Sequence, residues 1–377
     1  MMRFRIVLCS CVSVSMVGAA AACGDDDHAA TDAGVTRDGG GPRVDGGPRP
    51  DSGGPGTDAG PGRDAGPGRD GGPPMSGFIA GCRVFPADNP WNQDISGLPL
   101  HPNAAAILAN MNPSGTLHPD WGNWSTDHYG IPWTAGTGAP PLPLTWTASW
   151  GPTESDMLAC PGGGGAFCYP IPATAPIEGG PGASSGSDRH VLYLDVGGAP
   201  DHCTLYELYN ARDFTGPGWT AANGAIFPLD TNALRPEGWT SADAAGLPIL
   251  PGLVRVEEVL AGEIHHAIRF TMDTTAPGYI HPATHEAGSG GSSHPPMGLR
   301  VRLRSGYPVA SAPVPARVIL RAMQTYGLIL ADNGSDWYIT GDSDDRWDPL
   351  MDNVITGLRA VHGSDFEVVD TGPTIVP

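Results

Sequence analysis

Lysine is absent from this chain of 377 residues, so all twenty of its basic residues are arginine, a bias of genome composition more than of mechanism. Positive charge is scarce as well, because forty Asp and Glu leave a net charge of -20. That shortage excludes nucleic acid as a partner, since phosphates demand a basic footprint, and it excludes electrostatic docking on anionic lipid. The surface suits a neutral or cationic partner. No nucleophile elbow, P-loop or dinucleotide fingerprint occurs in the strand-to-helix setting its chemistry requires, and HExxH is missing. The best-defined hydrolase, nucleotide and zinc-protease classes are thereby removed, and no cofactor is expected.

What is present begins with an export signal. MMRFR supplies two arginines, an apolar run of small residues extends from Ile6 to Ala22, and Cys23 follows with GDDD behind it. This layout marks residues 1–22 as a signal peptide, too short and wrongly flanked for a stable membrane span. The AAAC ending resembles the lipobox of bacterial lipoproteins, with Ala20 in place of the usual leucine. The resemblance implies that Cys23 becomes the lipidated N-terminus, an anchor in the cell envelope that needs no spanning helix. The alternative is an ordinary cut near Ala22 with Cys23 incidental. From Gly24 to Ser76 the composition collapses to Gly, Pro, Asp, Ala and Arg, with DAGPGR in tandem at Asp58 and Asp64. Such a segment cannot bury enough apolar surface to offset its backbone entropy. Residues 23–76 are therefore read as lipid anchor and disordered tether, with a reach on the order of 40 Å.

Residues 77–377 contain no second low-complexity break and are expected to form one exported domain, large for a single core. Setting aside Cys9, Cys11 and Cys23, four cysteines remain, an even number that points to disulfides outside the cytoplasm. Cys160 and Cys168 bracket CPGGGGAFC, a short flexible loop closed at low entropy cost, which leaves Cys82 for Cys203. A four-cysteine zinc site is disfavoured because no close CxxC pair exists.

The expected fold is mainly β, a sandwich or barrel with two or three peripheral helices. HVLYLDV, CTLYELYNA, IHHAIRFTM, GLRVRLR, LILAD, WYIT and FEVVD are short, rich in β-branched or aromatic residues, and several alternate. Ser311 is expected to cap a helix through VPARVILRAMQTY, with Val318, Ile319, Ala322, Met323 and Tyr326 on one stripe and Gly327 ending it. Asp348 and Pro349 open a second helix, and HPNAAAILANM is a third.

The segment from Gly262 to Glu286 holds four of the twelve histidines. With IHHAIRFTM as a strand, Ile264, His266, Ile268, Phe270 and Met272 share the apolar face, and His265, Ala267, Arg269 and Thr271 share the other. His265 and His266 therefore point apart. His281 and His285 have a helical ligand spacing, but Pro282 disfavours helix at His281, so no local metal cage is expected. His266 beside Glu263 is either a hydrogen-bonded core histidine or an acid/base pair.

Three further clusters invite two readings each. In GWTSADAAGL, Trp239 and Ser241 contact a ligand, or the segment is a turn in which Ser241 or Asp243 caps a short helix. In SDRH, Arg189 and His190 contact a ligand, or Arg189 pairs with a carboxylate in an ordinary loop. DNGSDWY is expected to be a hairpin turn.

The run GAIFPLDTNALRPEGWTSADAAGLPILPGLVRVEEVLAGEIHHAIRF, with PPMGLRVRLR, ARVILRAMQTYGLILADNGSDWYITG, SDFEVV and FPADNPWNQDISGLPLHPNA, resembles a group of uncharacterised exported bacterial proteins. The likeness spans nearly everything after Cys82. It implies one secreted domain and supplies no reaction.

Two classes of function stay open. Ten tryptophans and nine tyrosines suit stacking on sugars, so the domain is read as handling a neutral polysaccharide, with acid and base drawn from Glu207, Asp243, Glu263, His266 and Asp332. The alternative is a non-catalytic polysaccharide-binding or envelope-structural lipoprotein.

Overall fold

A computed structural model describes residues 77–163, 165–183 and 187–377; the signal, Cys23 and the tether lie outside the described residues. In chain order the strands are β1 (Phe78–Ile79), β2 (Cys82–Arg83), β3 (His118–Asp120), β4 (Trp133–Gly136), β5 (Leu142–Trp146), β6 (Phe167–Tyr169), β7 (Val191–Asp195) and β8 (Thr204–Tyr209). They continue as β9 (Trp219–Ala221), β10 (Asn223–Pro228), β11 (Ile268–Met272), β12 (Arg300–Leu303), β13 (Leu328–Asn333), β14 (Tyr338–Thr340) and β15 (Phe366–Val369). The fold is mainly β, as expected, but its strands divide among four sheets and no closed barrel forms among the described residues.

The largest sheet has the order β15-β12-β13-β11-β14-β3 and is mixed: β11 runs parallel to β13 and antiparallel to β14, and β14 runs parallel to β3. Its inner strands are rich in Ile, Leu and Phe and are buried on one face in the core, where Trp337 stacks between Phe270 and Phe366 at 5.6 and 5.0 Å. A second sheet has the order β10-β8-β7-β4, and a third, β6-β5-β9, packs at its margin around Tyr169 and Trp219.

Five short α-helices occur among the described residues, more than the sequence suggested: α1 (Ala104–Ala109), α2 (Gly151–Glu154), α3 (Val256–Ala261), α4 (Val314–Thr325) and α5 (Met351–Leu358). The stripe on α4 is buried as expected, at Val318, Ile319, Ala322 and Met323, and Gly327 turns the chain at φ +73°. Ser311 does not cap α4. It closes a preceding 3-10 turn by donating to the Pro308 carbonyl, while Pro313 holds the cap position. Asp348 likewise ends a 3-10 turn, and α5 begins after Leu350.

Two further expectations are corrected. β11 starts only at Ile268, so His265 and His266 precede the strand. DNGSDWY does not form a hairpin, because β11 lies between β13 and β14. The segment instead caps the end of β11, where the Gly334 and Trp337 amides donate to the Met272 and Thr271 carbonyls. Both disulfides, Cys82–Cys203 and Cys160–Cys168, form as the loop argument expected and place the chain in an oxidising, exported environment. No helix among the described residues is long and apolar enough to cross a membrane.

Candidate functional site

Strand register builds the site. β11 and β13 pair in parallel until a bulge between Phe270 and Thr271, after which Thr271 faces Asp332. The bulge adds one residue to β13 and so re-aims its side chains. Arg269 and Thr271 then share a face with Asp332, while Phe270 and Met272 enter the core. On the other side Phe270 opposes Ile339, which sets Thr340 beside Arg269 and Tyr338 beside Thr271. Thr340 in turn pairs with Asp120 and Tyr338 with His118. Asp332, Thr271, Tyr338 and His118 therefore form one row across four adjacent strands, with Tyr338 stacked on His118 at 4.0 Å, and Arg269, Thr340 and Asp120 form the next row, with the Arg269 guanidinium reaching toward Asp332.

Two loops close on these rows. In GWTSADAAGL the Ser241 hydroxyl donates to the Leu247 carbonyl at 2.6 Å and accepts from the Asp243 amide at 2.9 Å, a tight turn and not a helix cap. That turn delivers Asp243. The segment entering β7 delivers His190, whose Nδ1 donates to Glu178 Oε2 at 2.7 Å and whose Nε2 donates to the Ala242 carbonyl at 3.0 Å. Arg189 sits just before it at φ +51° and anchors the loop by donating to the Ala211 and Gly180 carbonyls and to Asp213.

Arg269 is the hub. Its Nε and Nη2 lie 3.2 and 3.1 Å from Asp243 Oδ2, its Nη1 donates to the Thr340 hydroxyl at 2.7 Å, and its Nη2 is 3.8 Å from Asp332 Oδ2. Asp243 is wholly enclosed, and its Oδ1 has no hydrogen-bond partner among the described residues. Asp332 keeps 24% of its side chain accessible, so it is the carboxyl of the pair that a ligand can touch.

The electrostatics follow from burial and like charge. Burial, reinforced by the Asp243 charge and only partly offset by Arg269, pushes Asp332 up to about 8. Burial raises Asp243 to about 6 against the pull of Arg269. Burial alone lowers His190, but the Glu178 carboxylate outweighs it and lifts the imidazole to about 9. Asp120 is raised by burial, with a hydrogen bond from Tyr129 opposing, and Tyr129 is itself raised by burial and by the Asp120 charge. Its hydroxyl also lies 3.1 Å from His118 Nε2. The charge of exposed Asp188, which precedes Arg189 and His190, bears on both Asp120 and Asp332 and raises each slightly further.

Of the residues singled out from sequence, Asp243, Asp332 and His190 come together here. Ser241 and Arg189 support the loops that carry them, and Trp239 packs instead over the Arg235 guanidinium at 5.7 Å. Glu207 is sealed from solvent and accepts from the Ile249 and Leu250 amides at 3.0 Å, so its role is to cap the 3-10 turn there; burial raises it to about 7. The His266–Glu263 pair does not form. His266 Nε2 faces Glu258 Oε2 at 3.1 Å, with Arg255 on the other oxygen at 2.6 Å, and Glu263 pairs at the surface with His265 at 3.0 Å. Glu263 follows Gly262, which ends α3 in the left-handed region at φ +92°, and its side chain lies exposed beside His265.

Arg269, Asp120, Glu178, Asp188, Tyr129 and Thr340 were not anticipated. An arginine inside the apolar run IRFTM was the available signal, since a buried guanidinium demands carboxylate partners. Among the described residues no three His, Cys, Asp or Glu side chains are grouped as metal ligands. No protein-family model matches the chain, and neither a curated protein nor a solved structure matches it.

Proposed function

We propose that this centre cleaves glycosidic bonds in a neutral polysaccharide outside the cytoplasm. The observation that carries the reading is the geometry at Asp332, a solvent-reached carboxyl 3.8 Å from Arg269 and beside the buried Asp243 carboxyl, where burial and that like charge raise its pKa to about 8 and favour the protonated form at neutral pH. That is the state a proton donor to a leaving oxygen requires. Asp188 takes the opposing role: its carboxylate accepts a proton from the water that attacks the anomeric carbon, as Asp332 protonates the departing sugar oxygen and the glycosidic bond breaks. Asp243 and Arg269 position and tune Asp332 without touching substrate, and Tyr338, His118 and Tyr129 offer rings and hydroxyls to a sugar.

The acidic balance of the chain fits a neutral substrate, and the disulfides fit an exported one. In this reading the protein is a lipoprotein of the kind its sequence resembles, held at the cell envelope through acylated Cys23 and the 23–76 tether. The test is to incubate the exported protein with envelope and environmental polysaccharides and to measure both reducing ends and retention. Wild type should release reducing ends, with activity falling as pH rises past about 8 and Asp332 deprotonates. Asp332→Asn and Asp188→Asn should each lose roughly 100-fold or more while still retaining the polysaccharide. Retention without release, even by wild type, favours the non-catalytic binding protein instead, and neither release nor retention removes the glycan reading.

A further inference from the structure

A second feature is walled by segments that lead out of the centre. Trp124, Pro132, Trp133, Pro176 and Asp344 line an open cleft of about 270 Å³, near the lower end of ligand pockets at roughly 300 Å³. Its walls come from the segments that carry the centre: Trp124 follows Asp120 on the loop leaving β3, Pro176 comes just before Glu178, and Asp344 follows Thr340 closely. Both indoles are half-buried, and Trp133 packs against the main core.

The Trp124 loop is built in place. Asp345 Oδ1 accepts from the Trp124 and Ser125 amides at 3.1 and 2.8 Å, and Asn123 Oδ1 accepts from the Thr126 and Asp127 amides at 3.1 and 3.0 Å. The His128 ring supports the indole from one side at 4.6 Å. That ring lies where a Cβ on residue 180 would stand, 2.3 Å from it, and Gly180 is in the left-handed region at φ +75°. Only glycine leaves this space, and the Gly180 carbonyl is held by Arg189 beside His190. One contact chain thus links Trp124 to the loop bearing Glu178 and His190.

We propose that this cleft is a subsite for a single uncharged sugar ring next to the bond cleaved at Asp332, with Trp124 and Trp133 as its stacking faces and Asp345 as the residue that positions Trp124. The proposal rests on the glycan reading above. An indole pre-set by backbone hydrogen bonds loses little conformational freedom when it stacks, which is what a sugar subsite needs.

The test uses the full chain and the polysaccharide of the panel that it cleaves or retains best. Trp124→Ala and Trp133→Ala should each raise KM roughly three- to tenfold with a far smaller fall in kcat, and should lower retention of the inactive Asp332→Asn protein on the same polysaccharide. Trp124→Phe should restore most of the loss, and Asp345→Asn should behave as a weaker Trp124→Ala. Unchanged KM and retention in folded Trp124→Ala and Trp133→Ala proteins overturns the subsite while leaving the cleavage reading intact. Absence of cleavage, with retention that Trp124→Ala abolishes, overturns the cleavage reading and upholds the cleft. Neither cleavage nor retention by any variant overturns both.

Discussion

Raising the pH from mildly acidic to mildly alkaline should weaken this fold, and Asp332→Asn should remove much of that loss. In the unfolded chain Asp332 ionises near the ordinary value of 3.8, whereas in the folded protein it holds its proton up to about 8. Between those values the folded state binds more protons than the unfolded state, so stability falls as pH rises. Each pH unit in that window costs about 1.4 kcal/mol for a fully shifted group. Over the interval from about pH 5.5 to 8 the full effect is about 3.4 kcal/mol, and discounting for the 24% of the side chain that meets water leaves about 2 kcal/mol. Glu207 and Asp342, both raised to about 7 by burial, act in the same direction and saturate near pH 7. His190 adds to the trend at the upper end: its stabilisation is complete below 6.5 and is lost as pH rises through about 9. Glu178 and Glu258, held below the ordinary range by their cationic partners despite burial, stabilise above 4.5 and affect only more acidic solutions. Urea unfolding at about pH 5.5, 7 and 8.5 reads the slope directly. Wild type should lose stability across the series, and Asp332→Asn should lose about 2 kcal/mol less, because the amide cannot titrate and Asp243 is relieved of a like-charged neighbour. A flat or rising wild-type curve, or an unchanged slope in the variant, refutes the protonated Asp332 on which the mechanism depends.

Other consequences are equally measurable. Arg269→Met leaves Asp243 buried and unpaired, so it should cost about 3–5 kcal/mol by urea unfolding, and Asp243→Asn in the same chain should recover more than half. Removing Cys82–Cys203, which spans 121 residues, should cost about 5 kcal/mol on loop entropy, against about 2.5 kcal/mol for Cys160–Cys168 with its separation of 8. A smaller loss for the long loop than for the short one contradicts that account. His266→Gln breaks a bond to the buried Glu258 carboxylate and should cost about 1.5–3 kcal/mol while polysaccharide turnover stays at the wild-type level; lost turnover in a folded variant returns His266 to the catalytic candidates.

Strand identity was legible because it is local. HVLYLDV, LILAD and FEVVD announce themselves by β-branched residues and short length, and all three are strands. Strand neighbours were not legible, because parallel pairing leaves no turn between partners. DNGSDWY has every local property of a hairpin, yet β11 from sixty residues upstream occupies the gap between β13 and β14. The same non-locality hid the site. Alternation correctly set Arg269 opposite Phe270, but the meaning of that face depends on Asp243 in a distant turn, on Thr340 one strand away, and on a bulge that turns Asp332 toward them. His266 looked like the better candidate only because its partner was sought within three residues; the helix α3 returns Glu258 to it and leaves Glu263 at the surface. A buried charge inside a strand is thus a stronger pointer to a site than a histidine near a carboxylate, since the guanidinium must gather its counter-ions from wherever the fold can bring them, and those gathered carboxyls are the ones whose protons become useful.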